Sequence, residues 1–254
     1  MDVAKRGVIV GMALGDGYVQ VRQRLQRGKY PYEQRSMKMV HGPMQRAYCE
    51  WKAKRLGWAL GGRQINVTKV KNGPGGRYDA YHFTVSHPYF GQLRRWLYPE
   101  GKKRFTRRVL DMLTPEGLAI WYMDDGSARR NLNKEGFVSS VATSIATYCS
   151  EVEARVIVEW LDETYGVKFS PRFDKRIGSY YVQGNTTASR EFVGVTAPYI
   201  PECMKYKLSH VAMLSSHERQ APIGVCAGCG ETLYDARRKG LCVQCYHKRR
   251  RAMR

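Results

Sequence analysis

The sequence lacks any apolar run approaching the roughly 18 to 20 residues that a membrane-spanning helix needs. It also lacks a secretion signal, because Lys5 and Arg6 precede only a short apolar run, residues 7–14, without a small-residue cleavage site. These absences argue against a membrane protein and against secretion. We therefore expect the protein inside the cell, in the cytoplasm or nucleoid of a prokaryotic or phage-infected cell, with an organelle as the alternative.

Acidic residues are scarce relative to basic ones: 22 Asp and Glu stand against 43 Lys and Arg, which gives a formal net charge of +21. Such an excess attracts nucleic acid, because Lys and Arg neutralise phosphates and release condensed counterions. A soluble protein that is merely basic is the alternative interpretation. The hydrophobic content of 43 % over 254 residues excludes wholesale disorder and allows one large core or two modest ones.

Cysteines are sparse over most of the chain, where Cys49, Cys149 and Cys203 stand singly, as reduced thiols do. The other four form two Cys-x2-Cys pairs near the C terminus: Cys226, Cys229, Cys242 and Cys245. This spacing is typical of a structural zinc site, whereas two disulfides would conflict with an intracellular protein. So short a segment has almost no apolar core, and we expect zinc to supply its folding free energy.

Two apolar stretches each end in acid and glycine: residues 9–17 (IVGMALGDG) and 118–126 (LAIWYMDDG). We interpret both as buried helices that deliver a carboxylate at their C-terminal ends. In the first, glycines four positions apart form a smooth strip along which a second helix can approach closely. Asp16 and Asp125 would then meet and repel each other unless divalent cations neutralise them. The pattern predicts a two-metal site that hydrolyses phosphodiesters.

The same order of elements follows each motif. In the first half, period-two patterns predict strands around 19–25, 34–39, 64–68 and 78–85, with helices at 43–56 and 89–97. In the second half, Thr114 and Pro115 begin the motif helix, strands follow at 127–132, 137–147, 167–173 and 177–183, and helices at 150–165 and 187–195. We predict an α+β fold of two pseudo-symmetric αββαββα repeats, residues 1–112 and 113–218, and a zinc module at 219–254.

Most predicted strands have one apolar face and one polar, often basic, face. A solvated sheet surface is the alternative, but these polar side chains are also the ones that hydrogen-bond base edges and phosphates. The predicted DNA contacts are Gln20, Arg22, Arg24, Gln34, Lys38, Gln64, Asn66, Tyr78, His82, Arg129, Lys168 and Arg172, with Lys248, Arg249 and Arg250 of a basic tail after the last cysteine.

Both motifs resemble the namesake motif of the LAGLIDADG homing endonucleases, and residues 118–127 are similar to the LAIWYMDDGS form of the intron-encoded, single-chain branch. Residues 199–201 and 205–208 resemble the closing segment of that branch, so the resemblance covers about residues 7–210. It implies a saddle of two β-sheets in the major groove, with the motif helices at the interdomain interface. It also implies a monomer that uses Mg²⁺ or Mn²⁺ to make a staggered break in double-stranded DNA.

The resemblance maps the catalytic acids onto Asp16 and Asp125, with the backbone carbonyls of Gly15 and Asp124 as further metal ligands. It maps two basic site residues onto Lys103, with Lys102 as the alternative, and Lys207. The second motif departs from the pattern, with Ile120 in place of glycine and Asp124 in place of alanine. Asp124 therefore competes with Asp125, and register favours Asp125, since one helical position rotates a side chain by about 100°.

A non-cleaving function on the same scaffold remains the alternative. An intron maturase would bind host intron RNA, and a regulator would bind DNA without cutting it. Retention of both motif acids favours the nuclease.

Overall fold

The computed structural model describes residues 1–25, 31–72, 76–133, 137–212, 222–234 and 240–252. The first half contains α1 (Val3–Leu14), β1 (Tyr18–Arg24), β2 (Tyr32–His41), α2 (Arg46–Ala59), β3 (Thr68–Asn72), β4 (Tyr78–Ser86), α3 (Tyr89–Leu97) and α4 (Arg107–Leu110). The second half contains α5 (Pro115–Asp125), β5 (Gly126–Leu132), β6 (Val138–Cys149), α6 (Glu151–Tyr165), β7 (Phe169–Asp174), β8 (Ser179–Gly184), α7 (Thr186–Thr196) and α8 (Ser209–Ala212). The C-terminal segment contains β9 (Gly224–Val225), β10 (Thr232–Leu233) and α9 (Val243–Ala252). Short 3₁₀ helices lie at Pro43–Gln45, Ala197–Tyr199 and Glu202–Lys207.

The two halves have the same sheet topology. Over the described ranges, one antiparallel four-stranded sheet has the order β1-β2-β4-β3 and the other the order β5-β6-β8-β7. Each sheet is preceded by a motif helix, α1 or α5, and its second and third strands in sequence are joined through a longer helix, α2 or α6. The predicted α+β fold with an αββαββα order in each half is confirmed.

Local capping explains where several helices begin. The Asp2 side chain accepts from Lys5 N at the start of α1, and Thr114 accepts from Gly117 N at the start of α5, where Pro115 occupies the first turn. On α6, Ser150 and Glu153 form a reciprocal capping box. These side chains satisfy backbone N–H groups that have no partner within their own helix.

The two motif helices form the centre of the molecule. Residues 7–14 of α1 and residues 117–123 of α5 are all buried. A helix that is apolar on every side needs neighbours all round, and α1 packs on α5 and α2, while α5 also packs on α7, β5 and β6. Both halves therefore share one apolar core. Across the described ranges, no helix is both long and apolar enough to cross a membrane.

The strand predicted at 64–68 is wrong. Pairing begins only at Thr68, opposite His82, and residues 64–67 lie outside any strand. Ile65 and Val67 are half-buried against the core while Gln64 and Asn66 are exposed, so the side chains alternate without ladder hydrogen bonds. Alternating burial therefore misled the assignment, and the predicted DNA contacts of Gln64 and Asn66 lose the strand on which they were based.

Several apolar residues near element ends are more exposed than their patterns predict. Helical periodicity places Val152 with Val156 and Trp160 on one apolar face of α6, yet Val152 is 72 % exposed, because the buried stripe consists of Ala154, Ile157, Trp160 and Leu161. Leu25 and Phe173 are likewise exposed at the ends of their predicted strands. Conversely Ser36, which the period-two pattern places with Gln34 and Lys38 on the polar face of β2, is buried and accepts a hydrogen bond from Gln20 Nε2. End positions have fewer covering neighbours than periodicity alone assumes.

Candidate active site at the ends of the paired helices

Glycines bring the backbones of the two motif helices into contact. A Cβ atom added to Gly11 would lie 2.2 Å from the carbonyl oxygen of Gly117, and one added to Gly117 would lie 2.3 Å from that of Gly7. The close approach predicted from Gly11 therefore exists. The sequence analysis did not identify Gly117, which lies one residue before the second motif. Ile120 stands where the motif has glycine, and Gly117 provides the small residue at the helix contact instead. This packing brings the C-terminal ends of both helices to the same end of the molecule.

Two motif acids lie at that end. Asp16 follows the last turn of α1 with its side chain 40 % exposed, and Asp125 is the last residue of α5. Burial, followed by the charge of Asp124, raises the pKa of both carboxyl groups, and that of Asp125 reaches about 7. Asp16 is among the charges that raise the pKa of Asp125. The site therefore concentrates negative charge that a bound cation would relieve.

A lysine from elsewhere in the chain also contacts the C-terminal end of each motif helix. Lys103 Nζ donates to the carbonyl oxygens of Leu14 and Gly15, both at 2.9 Å, and Lys207 Nζ donates to that of Gly126. Burial lowers the pKa of both ammonium groups, against the attraction of the motif aspartates. Lys102, the alternative to Lys103, is exposed at the rim of the neighbouring cleft. Lys103 and Lys207 thus occupy corresponding places at the two motifs.

Asp124 has a different environment from Asp125. Its carboxylate is fully buried with Lys52, whose Nζ donates to both oxygens at 2.5 and 2.6 Å. Tyr48 donates its hydroxyl to Oδ1 at 2.7 Å, and the backbone amide of Asp16 donates to Oδ2 at 2.9 Å. Asp125 instead lines an open cleft of about 470 Å³. The geometry therefore favours Asp125 over Asp124 as the ligand of a metal or substrate.

Lys52 and Tyr48 were not anticipated from sequence. Lys52 is flanked by Cys49, Ala53 and Leu56 on the buried face of α2, and a lysine on such an apolar face is a signal that a buried acid faces it. Burial, then the charge of Asp124, raises the pKa of Tyr48 well above its usual range, so its hydroxyl stays protonated and donates.

A buried histidine approaches the first acid. His41 Nδ1 lies 3.7 Å from Asp16 Oδ2, and its side chain is 1 % exposed. Burial, followed by the charge of Lys52, lowers the pKa of His41 to about 4. The imidazole is therefore neutral near pH 7, and the contact is not an ion pair.

One strained residue borders the cleft beside Asp125. Tyr148 has a φ of 47°, and pairing between β6 and β8 is irregular between Ile145 and Cys149. Tyr148 is 62 % exposed and lines the same cleft as Asp125 and Lys103. An aromatic residue held in the left-handed region is uncommon and is often found at functional sites.

Most of the predicted nucleic-acid contacts lie on the two sheets. Register places Gln20 opposite Ser36 and Arg22 opposite Gln34, so these side chains share one face. The exposed members of the predicted set on or beside strands are Arg22, Arg24, Lys38, Tyr78, Arg129, Lys168 and Arg172, and the half-buried ones are Gln20, Gln34 and His82. Arg24 Nε donates to Gln34 Oε1, which orients both side chains.

The four C-terminal cysteines converge. The Sγ atoms of Cys226, Cys229, Cys242 and Cys245 all lie within 4.8 Å of one another. Backbone amides, first that of Cys242, donate to Cys226 Sγ and lower the pKa of this thiol to about 6. Four thiolates at this spacing suit a tetrahedral zinc ion. The basic residues Lys248, Arg249 and Arg250 follow on α9.

Comparison with known proteins identifies relatives of this chain. Protein RecA from Mycobacterium shimoidei is 30 % identical over 206 residues, which are 79 % of this chain and 45 % of that protein. The cytochrome b mRNA maturase bI2 of Debaryomyces hansenii is 28 % identical over 127 residues, 50 % of this chain and 45 % of the maturase. The chain therefore spans about half the length of the curated relatives it matches.

A solved structure has the same fold. The homing endonuclease I-WcaI bound to its DNA recognition sequence superposes with a TM-score of 0.62 at 21 % identity, over 82 % of this chain and 86 % of that one. The family model described as the LAGLIDADG DNA endonuclease family matches residues 6–192, a range that includes both motifs and both four-stranded sheets. With so much of its length covered by that match, this chain belongs to the LAGLIDADG DNA endonuclease family.

Proposed function

We propose that the protein is a site-specific endonuclease that hydrolyses both strands of a DNA duplex, using Mg²⁺ or Mn²⁺ held by Asp16 and Asp125. The observation that carries the proposal is the convergence of two motif acids of raised pKa beside two half-buried lysines whose pKa is lowered. Family membership and a homologous fold in a DNA-bound homing endonuclease support the same reaction class.

The donor set fits a hard divalent cation, because carboxylate and carbonyl oxygens are the ligands that Mg²⁺ prefers. Asp16 and Asp125 would hold it, with the backbone carbonyls of Gly15 and Asp124 as further oxygens. The cation would supply electrophilic stabilisation of charge on the scissile phosphate.

The lysines act beside the acids. The Lys103 ammonium already donates to the Gly15 carbonyl, so this oxygen would exchange one cationic partner for another. Because burial lowers the pKa of Lys103 and Lys207, each would give up a proton more readily than a free lysine. In its ammonium form each would stabilise the negative charge of the phosphate.

The partner that we propose is duplex DNA across the polar faces of the two sheets. The net charge of +21 supports phosphate binding, and the exposed arginines and lysines on the sheet faces are the candidates for contact. We propose that residues 1–112 and 113–218 each bind one half of the site, so that a monomer suffices. The enzyme would act on DNA within a prokaryotic cell or an organelle.

We also propose that the segment 219–254 is a zinc module. One Zn²⁺ bound by the four cysteines would organise β9, β10 and α9, and the module would place Lys248, Arg249 and Arg250 on DNA beyond the main site. The cysteine cluster and the basic helix that follows it support this assignment.

The decisive experiment is cleavage of the natural insertion site. Purified full chain with Mg²⁺ should linearise a plasmid that carries the uninterrupted insertion site of its own gene. Asp16→Asn and Asp125→Asn should bind this DNA as tightly as the wild type and cut it at least about a thousandfold more slowly, because each removes a charged ligand. Asp162→Asn, an exposed acid on α6, is the matched control and should cut normally. Equal cleavage by either motif variant would remove that residue from the mechanism.

A maturase function is the second candidate, favoured by the similarity to an mRNA maturase over half of the chain. The same preparation should then accelerate splicing of its host intron RNA in vitro. Splicing activity without cleavage of any insertion-site duplex would replace the nuclease proposal.

A further inference from the structure

The backbone amide of Asp16 bonds differently from its two neighbours. Gly15 N donates to Gly11 O and Gly17 N donates to Met12 O, both within the first motif. The amide between them donates instead to Asp124 Oδ2 in the second motif, at 2.9 Å. The backbone of the first acid is therefore attached to the opposite helix.

Gly15 makes room for this attachment. A Cβ atom at position 15 would lie 2.1 Å from the same Asp124 Oδ2 atom, so only glycine leaves space for the carboxylate. Any larger residue before Asp16 would displace the acceptor of the Asp16 amide. Two separate features, the absence of a side chain at Gly15 and the hydrogen bond from the Asp16 amide, therefore accommodate the Asp124 carboxylate at this position.

The acceptor is itself held by two buried groups. Lys52 and Asp124 have side chains that are 0 % exposed, and Tyr48, stacked on Trp51, donates to the carboxylate as well. A buried ion pair contributes little net stability, because desolvation offsets most of the attraction. The ion pair lies where the two motifs meet, and fixing the position of the Asp124 carboxylate explains this location better than a contribution to stability does.

We infer that Asp124 is a positioning residue: its carboxylate, clamped by Lys52 and Tyr48, fixes the backbone of Asp16 and so directs the Asp16 carboxylate into the site. The inference rests on the proposed function for its effect on cleavage. The device serves one acid, since the first motif has Gly15 at the corresponding position and offers no carboxylate to Asp125.

A pair of double variants of the full chain tests the inference. Lys52→Met with Asp124→Leu replaces the buried ion pair by apolar side chains, a change that is often neutral for folding, and removes the acceptor of the Asp16 amide. Lys52→Met with Asp124→Asn removes the same charges but keeps an oxygen acceptor. Tyr48→Phe is a milder third variant that removes one hydrogen bond and no charge.

Two measurements separate positioning from general stability. Amide hydrogen exchange at Asp16 should become at least about tenfold faster in the leucine variant and return toward the wild-type rate in the asparagine variant. Single-turnover cleavage should fall at least about tenfold in the leucine variant, with DNA affinity unchanged, and recover in part with asparagine. Tyr48→Phe should show a smaller effect in the same direction.

The matched control is a second ion pair between the same two helices. Arg55 on α2 pairs with Glu116 in the first turn of α5, far from the motif acids along that helix. Arg55→Met with Glu116→Gln should leave Asp16 exchange and cleavage as in the wild type. Equal effects of this control and of the leucine variant would assign the result to helix attachment and overturn the inference.

The exchange measurement also works without catalysis. If the wild type cuts no DNA, the proposed function fails, yet the contrast between the leucine and asparagine variants still decides the positioning role. Unchanged protection of the Asp16 amide in the leucine variant would overturn it, whatever the cleavage result.

Discussion

Gly11 of the first motif helix touches the backbone of Gly117 in the second, because a Cβ atom at position 11 would lie 2.2 Å from the Gly117 carbonyl oxygen. Neither backbone can yield locally, since both helices are buried along the contact. The spacing between the halves, and therefore between the two acids, depends on glycine at this contact and at Gly117, where a Cβ atom would lie 2.3 Å from the Gly7 carbonyl oxygen.

Gly11→Ala should lower the free energy of unfolding by on the order of 3 kcal/mol, because the added methyl must push α1 and α5 apart. Gly194→Ala on α7 is the matched control, since a Cβ there meets nothing within 4 Å. It should raise stability by about 0.5–1 kcal/mol through helix propensity. Urea unfolding of both variants provides the comparison, and similar stabilities would contradict the packing described.

Asp125→Asn should stabilise the protein at pH 8 in buffer without divalent cations. Its folded pKa of about 7 lies above the value of an exposed aspartate, so folding takes up a proton and stability falls as pH rises from about 4 through 7. Removing the charge should recover about 1–3 kcal/mol, after allowance for solvent screening.

Thermal melts at pH 5 and pH 8 measure this effect. The variant should gain several degrees over the wild type at pH 8 and about a third of that gain at pH 5, while Asp162→Asn should gain nothing at either. If the melting temperatures of Asp125→Asn and the wild type were equal across this pH range, the Asp125 carboxyl could not have the raised pKa described.

Elemental analysis should find one zinc per chain in protein purified without chelators, since the four cysteine Sγ atoms lie within 4.8 Å of one another. Cys229→Ser should lose the metal, because three thiolates hold zinc far less tightly than four. Cys203→Ser, at an exposed cysteine outside the cluster, should keep it. Zinc-free wild-type protein would rule out the module as proposed.

Truncation after Ile223 should weaken binding to DNA and flatten its dependence on salt. Every phosphate that the shortened chain no longer neutralises should reduce the slope of log K against log salt by about 0.9. Substituting Lys248, Arg249 and Arg250 by alanine in the full chain should reproduce much of this change while leaving the zinc content intact. Identical slopes for the full and truncated chains would place the basic helix away from the phosphates.

Local signals predicted part of this molecule well. The helix at Tyr89–Leu97 and the Thr114-Pro115 start of α5 follow from periodicity and capping, which act over a few neighbouring residues. The prediction for residues 64–67 failed because their alternating burial comes from packing against the apolar core without pairing to a neighbouring strand. The Lys52–Asp124 pair could not be predicted, since it joins residues distant in sequence whose meeting depends on how α2 packs on both motif helices.

The unlike residues Gly15 and Asp124 make the two halves complementary rather than interchangeable. Fusing two copies of the first half would leave the amide after each glycine without a carboxylate to receive it. Fusing two copies of the second would force two acids into a space that admits one. Each half of the pseudo-symmetric chain therefore needs the other half as its partner. Neither half could form a working symmetric homodimer unless the residue at this position, Gly15 or Asp124, were changed.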